Sequence, residues 1–524
     1  MHPSRTRCIH TGTSGRLAST TTDDIDALVA RLKGRPRVVL HFHGGLIDDE
    51  LGFATAERLD PVYTAAGADP VFFVWSSGLL EILRGNLPQI LSEGVFQTLL
   101  NRVTRFATGL VFQEPGQRAL GSFAAPSTKA VAAELALLRT GEEPYARLTA
   151  PAEVPPITEA ERVRITADLS ADAELAERNR EIVGSVLRSA SAPTAARSID
   201  GGRAAVATLM SPQTVAELAA ETEAADNRRA VVTSALLVRK TVRVVSAVVG
   251  RFRTHTDHGL YPTVVEELLR EFYLANVGAA VWDAMKRQTA DTFAPDASAA
   301  PDTAAAPASS AASGEIRAGR YFLDRFGQLL ATGARPKVTL VGHSAGAVFI
   351  GHLLNDLARR RADADDPLPG DFRVRDVVLL APACTVGHLA SVVRRQAELF
   401  DRLRMFTMTD RAERADHLVP LLYPRSLLYF ISGVLERGPQ GAQGAGGAKG
   451  QTAVTPIAGM QRWFQADAGG PDAEQLRAFL RADATRTVWS PVDGGPGLTA
   501  GARKHITFDD DPEVLASLAR MLAD

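Results

Sequence analysis

Short apolar runs that alternate with helix-length amphipathic segments constrain this chain most tightly. Residues 38–42 and 71–75 are runs of strand-forming side chains, and the stretch from about 49 to 66 between them reads as a helix. The same alternation returns far along the chain. Residues 338–341 form an apolar run bounded by Pro336 and Gly342. They are followed by a helical pattern over 345–361, with Val348, Phe349, Leu353, Leu354 and Leu357 on one side. Residues 377–380 predict the next strand, 388–403 the next helix and 404–408 a further strand. Strands and helices in this order imply parallel strands joined by right-handed crossovers, hence an α/β fold.

Between these two regions the pattern changes. Residues 85–261 hold few strand-like runs and many segments rich in Ala, Leu, Glu and Arg, which predicts a mostly helical insertion. The expected organisation is an N-terminal core piece (24–84), the insertion (85–261) and a C-terminal core piece (262–524). Two linkers interrupt the last piece. Residues 294–314 are almost wholly Ala, Pro, Ser, Asp and Thr, and 437–451 are rich in Gly, Gln and Ala. Residues 262–292 and 315–333 read as strong amphipathic helices, and 427–435 are apolar enough to pack in a core. Residues 94–112 and the basic 237–252 are amphipathic as well. The second could touch a membrane surface, although core packing with a solvated charged edge is the plainer reading.

Composition excludes several classes. The 524 residues carry a net charge of −2, so no global basic field is present for nucleic acid. Cys8 and Cys384, the two cysteines, cannot build a disulfide framework or a zinc site. The first 15 residues lack the apolar run of a secretory leader. The most apolar long window, 230–249, is broken by Arg239, Lys240 and Arg243. The expectation is a cytoplasmic protein with no cofactor and no metal. His255 and His258 lack a third ligand and read as a solvated turn before Gly259.

Chemistry concentrates at Gly342-His343-Ser344-Ala345-Gly346, which follows an apolar strand and opens a helix. Serine is a weak nucleophile at its free pKa and must be presented to a base at a tight, exposed turn; the flanking glycines let strand and helix approach closely. A second feature is His41-Phe42-His43-Gly44-Gly45, directly after the first strong strand. Acyl transfer builds negative charge on a carbonyl oxygen, and backbone N–H groups must meet it. The expected donors are the N–H of Gly44 or Gly45 and that of Ala345.

With these motifs the chain resembles the α/β-hydrolase superfamily, in its lipase- and esterase-like branch. The resemblance covers the sheet and its crossover helices but not the insertion, which it implies to be a cap or lid. It also implies a triad in the chain order serine, acid, histidine. Of the histidines after Ser344, His417 and His505 also follow the strand past which the acid is expected. His505 lies in the loop before a terminal helix that Asp511 and Pro512 open, and is the expected base. Asp410, two residues past Met408, is the expected acid, with Glu413 and Asp416 as rivals. The chain departs from the family in having only 37 residues before its first clear strand, so about six strands are expected. Its His-Gly-Gly run lacks a third glycine, and His343 stands where one esterase branch carries an acid. The implied activity is hydrolysis of carboxylic esters, particularly lipophilic acyl esters, on a small-molecule or lipid substrate. Amide or thioester hydrolysis and a non-catalytic binding module of the same fold are the alternatives. Oligomeric state is not legible.

Overall fold

The computed structural model describes residues 3–45, 47–76, 78–113, 125–191, 208–225, 234–273, 277–295, 316–420, 422–436, 454–465 and 468–524. Strands β1 (Cys8–Thr11), β2 (Arg37–Phe42), β3 (Asp69–Trp75), β4 (Lys337–His343), β5 (Val374–Leu380), β6 (Phe400–Met408) and β7 (Thr487–Ser490) form the main sheet. Their order is β1-β3-β2-β4-β5-β6-β7, and every pairing is parallel. The α/β class is as expected. The strand number is seven rather than about six: beyond the five strand runs that the sequence displays, β1 and β7 both join the sheet. Each is four residues long, too short for a period-2 pattern to stand out.

Four helices position the site: α1 (Asp49–Ala65), α2 (Gly346–Ala362), α3 (Asp410–Ala415) and α4 (Pro512–Ala523). Asp48 caps α1 by accepting the Leu51 N–H at 2.8 Å. Asp511 caps α4 through the Val514 N–H at 2.9 Å, with Pro512 at the first turn, as the sequence predicts.

Side chains alternate across the sheet, so each strand feeds two cores. Val39, Phe72, Val74, Val341 and Val378 pack with Leu59 and Tyr63 of α1 and with Val514 and Leu518 of α4. Leu40, Phe42, Val71, Phe73 and Leu340 face the other way, toward α2 and the helix Ala318–Ala331. That second core runs without a break into the helical region, through Leu99, Val103, Val245, Val248, Val264 and Leu268.

Between β3 and β4 the described residues form helices and turns with one isolated bridge at Arg317. Two helix expectations need correction. The amphipathic stretch 262–292 is not continuous: Leu260–Leu268 runs into a π-turn at Leu269–Tyr273, and a new helix, Ala279–Asp291, starts after Gly278 at φ +86°. The helix expected over 388–403 is Val386–Gln396, and Phe400 already belongs to β6. Phe400 and Leu403 are buried apolar residues that fit a helical as well as a strand pattern, so periodicity alone does not divide them. Apart from Ala294 and Pro295, the expected linkers lie outside the described residues. No helix among the described residues is long and apolar enough to cross a membrane.

Candidate active site at the carboxyl rim of the sheet

The chain places β3 on one side of β2 and β4 on the other, so strand order reverses between β2 and β4. Crevices at the carboxyl ends of strands flanking such a reversal are where open α/β sheets bind ligands. His43-Gly44-Gly45 leaves β2 at this point, and Ser344 leaves β4 beside it.

Ser344 sits at φ +52°, in the left-handed region that a non-glycine residue enters only under constraint. Two hydrogen bonds hold it there: its N–H donates to the Leu380 carbonyl at 2.8 Å, and its own carbonyl accepts the Ala383 N–H at 3.0 Å. Strand, turn and helix meet closely because the flanking residues are glycines. A Cβ at Gly346 would run into the Phe42 carbonyl, and one at Gly342 would lie 2.7 Å from the Gly346 carbonyl oxygen.

The Ser344 hydroxyl meets His505: Oγ lies 2.9 Å from Nε2. The structure therefore brings together two residues 161 positions apart that the sequence reading paired. Both are buried, at 3% and 1% exposure. Burial first, and then the nearby His343, hold His505 well below the usual imidazole pKa, against the opposing pull of Asp509. A neutral imidazole follows, ready to accept a proton.

The expected acid is not brought to the base. Asp410 opens α3, where its carboxylate accepts the Tyr429 hydroxyl at 2.6 Å and its N–H donates to Gln461 at 2.8 Å. The His505 Nδ1 is buried and has no hydrogen-bond partner among the described residues. Glu413 is buried on the Ser426 hydroxyl, and burial pushes its carboxyl well above the usual range. Asp416, just past α3, is the rival that touches the base: its Oδ2 accepts the backbone N–H of His505 at 2.8 Å. The turn of α3 explains the difference. A carboxylate at its first residue faces Tyr429, while one beyond its last residue meets the loop before α4. His417, the other histidine past the acid strand, is half-buried next to Asp416, and the imidazole that meets Ser344 is that of His505.

The Gly44-Gly45 turn lies against this pair. A Cβ at Gly44 would stand 3.5 Å from the Ser344 Cβ, and one at Gly45 would lie 2.8 Å from the Ala345 Cβ and collide with Met285. His43 fixes the turn. Its ring stacks on Trp75 at 3.8 Å, Nε2 accepts the Trp75 N–H at 3.0 Å, and Nδ1–H donates to the Gly44 carbonyl at 2.7 Å. Burial pushes this imidazole down to about 4, so it stays neutral. In a trans peptide the Gly45 N–H points opposite to the carbonyl that His43 holds. The Ser344 N–H is engaged by Leu380, so on the elbow the first candidate oxyanion donor is Ala345, ahead of α2.

Two charged residues beside the pair escaped the sequence reading. His343 Nε2–H donates to the carbonyl of His505 at 3.0 Å, and its Nδ1 lies 3.4 Å from Asp509 Oδ2. Engagement of both nitrogens implies the imidazolium form. Burial opposes that charge, but the Asp509 carboxylate and the His505 carbonyl, with Asp510 nearby, together raise the His343 pKa. Asp509 is buried too, yet His343 and Arg58 of α1 (3.6 Å) hold its carboxyl far below the usual range. The run Asp509-Asp510-Asp511 gives no sequence signal for this role, since either residue ahead of the Asp511 cap could face inward.

A cavity of about 730 Å³ lies between the helical region and the same rim. Asp410, Arg414, Tyr429, Arg462, Trp463 and His258 are among its lining residues; Ser344 and His505 are not. His258 is not in a solvated turn, as expected, but buried with Nδ1 2.8 Å from Glu266 Oε1; His255 is the exposed one. No cluster suited to a metal ion occurs among the described residues. Compared with known proteins, this chain matches no family model, no curated protein and no solved structure.

Proposed function

We propose that this protein is a serine hydrolase of carboxylic esters, built on an α/β-hydrolase core. The observation that carries the reading is the 2.9 Å contact between the Ser344 hydroxyl and the neutral His505 imidazole, at a left-handed strand-to-helix turn. A binding scaffold has no need of a serine held in a strained backbone against a base. In the proposed reaction Ser344 Oγ attacks the ester carbonyl while His505 Nε2 takes its proton. The N–H of Ala345 and that of Gly44 or Gly45 meet the oxyanion. The tetrahedral species collapses, and His505 returns the proton to the departing alcohol. Water, deprotonated by the same imidazole, then releases the acid and restores Ser344.

We assign the orienting acid to Asp416 in place of Asp410. It keeps the chain order serine, acid, histidine, and it already accepts the main-chain N–H of the base. The assigned role requires its carboxylate to turn so that an oxygen meets Nδ1, which fixes the tautomer that leaves Nε2 free to accept.

Hydrolysis of p-nitrophenyl esters of increasing chain length tests this reading and reports the acyl preference, with p-nitroanilides and thioesters as comparison substrates. Ser344→Ala should abolish turnover. Asp416→Asn should lower kcat by about 10⁴-fold, as expected when the imidazole is left in the wrong tautomer. Asp410→Asn should stay near wild type. The reverse pattern, with Asp410→Asn inactive and Asp416→Asn active, would return the acid to the strand end.

A further inference from the structure

We propose that His343 is a positioning residue for His505, acting with Asp509 as a buried clamp that ties the base loop to the turn carrying the nucleophile. The inference rests on the hydrolase reading and concerns the same site. His343 is the last residue of β4 and directly precedes Ser344. Its Nε2–H holds the His505 carbonyl at 3.0 Å, so serine and base hang from adjacent links of one chain. On the other side the His505 N–H is held by Asp416 at 2.8 Å. Both backbone polar groups of the base are thus fixed by side chains, one from the elbow and one from the end of α3. What remains to be set is the imidazole's own side-chain torsions, and the ring centroids of His343 and His505 are 5.6 Å apart.

The clamp is itself anchored. Asp509 receives His343 Nδ1 at 3.4 Å and Arg58 at 3.6 Å, which connects the loop before α4 to α1. It also brings charge. The groups facing His505 are His343, Asp509, Asp416 and Ser344, with His41, Arg58, Asp510 and Lys504 around them. The imidazolium of His343, its ring 5.6 Å from that of the base, favours the neutral form of His505.

The test follows the rate of reaction with a fluorophosphonate probe across pH, in wild type and in His343→Gln, His343→Asn and His343→Phe. Gln keeps an N–H within reach of the carbonyl but carries no charge, so its plateau rate should stay near wild type while the acid limb moves to higher pH. Asn is too short to span the gap, and Phe has no donor. Both should lose about 10²-fold at the plateau, the loss expected from a misplacement of about 1 Å. Asn also covers the case in which Phe fails to fold. A reactive wild type with Asn and Phe variants at full plateau rate would overturn the clamp and leave the hydrolase reading standing. A folded wild type that ignores the probe would overturn the hydrolase reading, and the clamp's catalytic role with it.

Discussion

His343 and His505 lie side by side in equally dry surroundings, yet their neighbours drive them in opposite directions. Burial lowers both pKa values; His343 gains a carboxylate and a carbonyl that keep its proton, whereas at His505 burial and the adjacent cation together remove it. The His343–Asp509 pair has a definite pH signature. Asp509 is depressed in the folded state, so its contribution is present above the unfolded carboxylate pKa of about 4 and fades as pH falls through the folded value. His343 is raised, so its contribution is full below the unfolded imidazole pKa of about 6.5 and fades as pH rises through the folded value. The pair therefore stabilises most between about pH 4 and 6.5. Asp509→Asn should lower the denaturation midpoint most in that window, since removing one partner of a buried pair costs about 3–5 kcal/mol. A loss that grows steadily toward alkaline pH would contradict the assigned charges. Ser344 and His505 were legible because a motif and a chain-order rule point to them. The clamp and the choice among Asp410, Glu413 and Asp416 were not, because position past a strand does not say which way a short helix turns its carboxylates.

At the scale of elements, the elbow depends on how closely β4 and α2 approach β2. Gly346 faces the Phe42 carbonyl with no room for a methyl group. Gly346→Ala should therefore destabilise by about 1–3 kcal/mol, the range for forcing an extra carbon into a packed site. Urea denaturation reads this directly, and an unchanged midpoint would mean that the turn is looser than described. The long crossover helices α1 and α2 and strands β2 to β6 were visible in the sequence, since each carries enough apolar residues to show a period. β1 and β7 were not, being edge strands of four residues. The break before Gly278 was hidden for another reason: the helices on both sides carry buried apolar residues, and a left-handed φ of +86° at one glycine leaves no mark on the apolar pattern.

Across the whole molecule, the helical region is not a separate body resting on the sheet. Leu99, Val103, Val245 and Val264 belong to the same apolar core as Leu40, Phe73 and Phe349. A continuous core predicts one cooperative unfolding transition, with near- and far-ultraviolet circular dichroism changing together. Two separated transitions would show that the helices fold as an independent cap. The segment 454–464 links the two regions around the site: Pro456 and Ala458 bond to the chain after β5, and Arg462 and Trp463 line the cavity. With Ser344 and His505 both buried, the proposed reaction requires that what covers them be displaced before a substrate can reach Ser344. The central claim, that Ser344 is a nucleophile activated by His505, is tested most directly by peptide mapping after fluorophosphonate treatment of the full chain. One adduct per molecule on the Ser344 peptide is predicted, absent in Ser344→Ala and slowed by orders of magnitude in His505→Ala. A folded wild type with no adduct, or with the adduct on another residue, would contradict it.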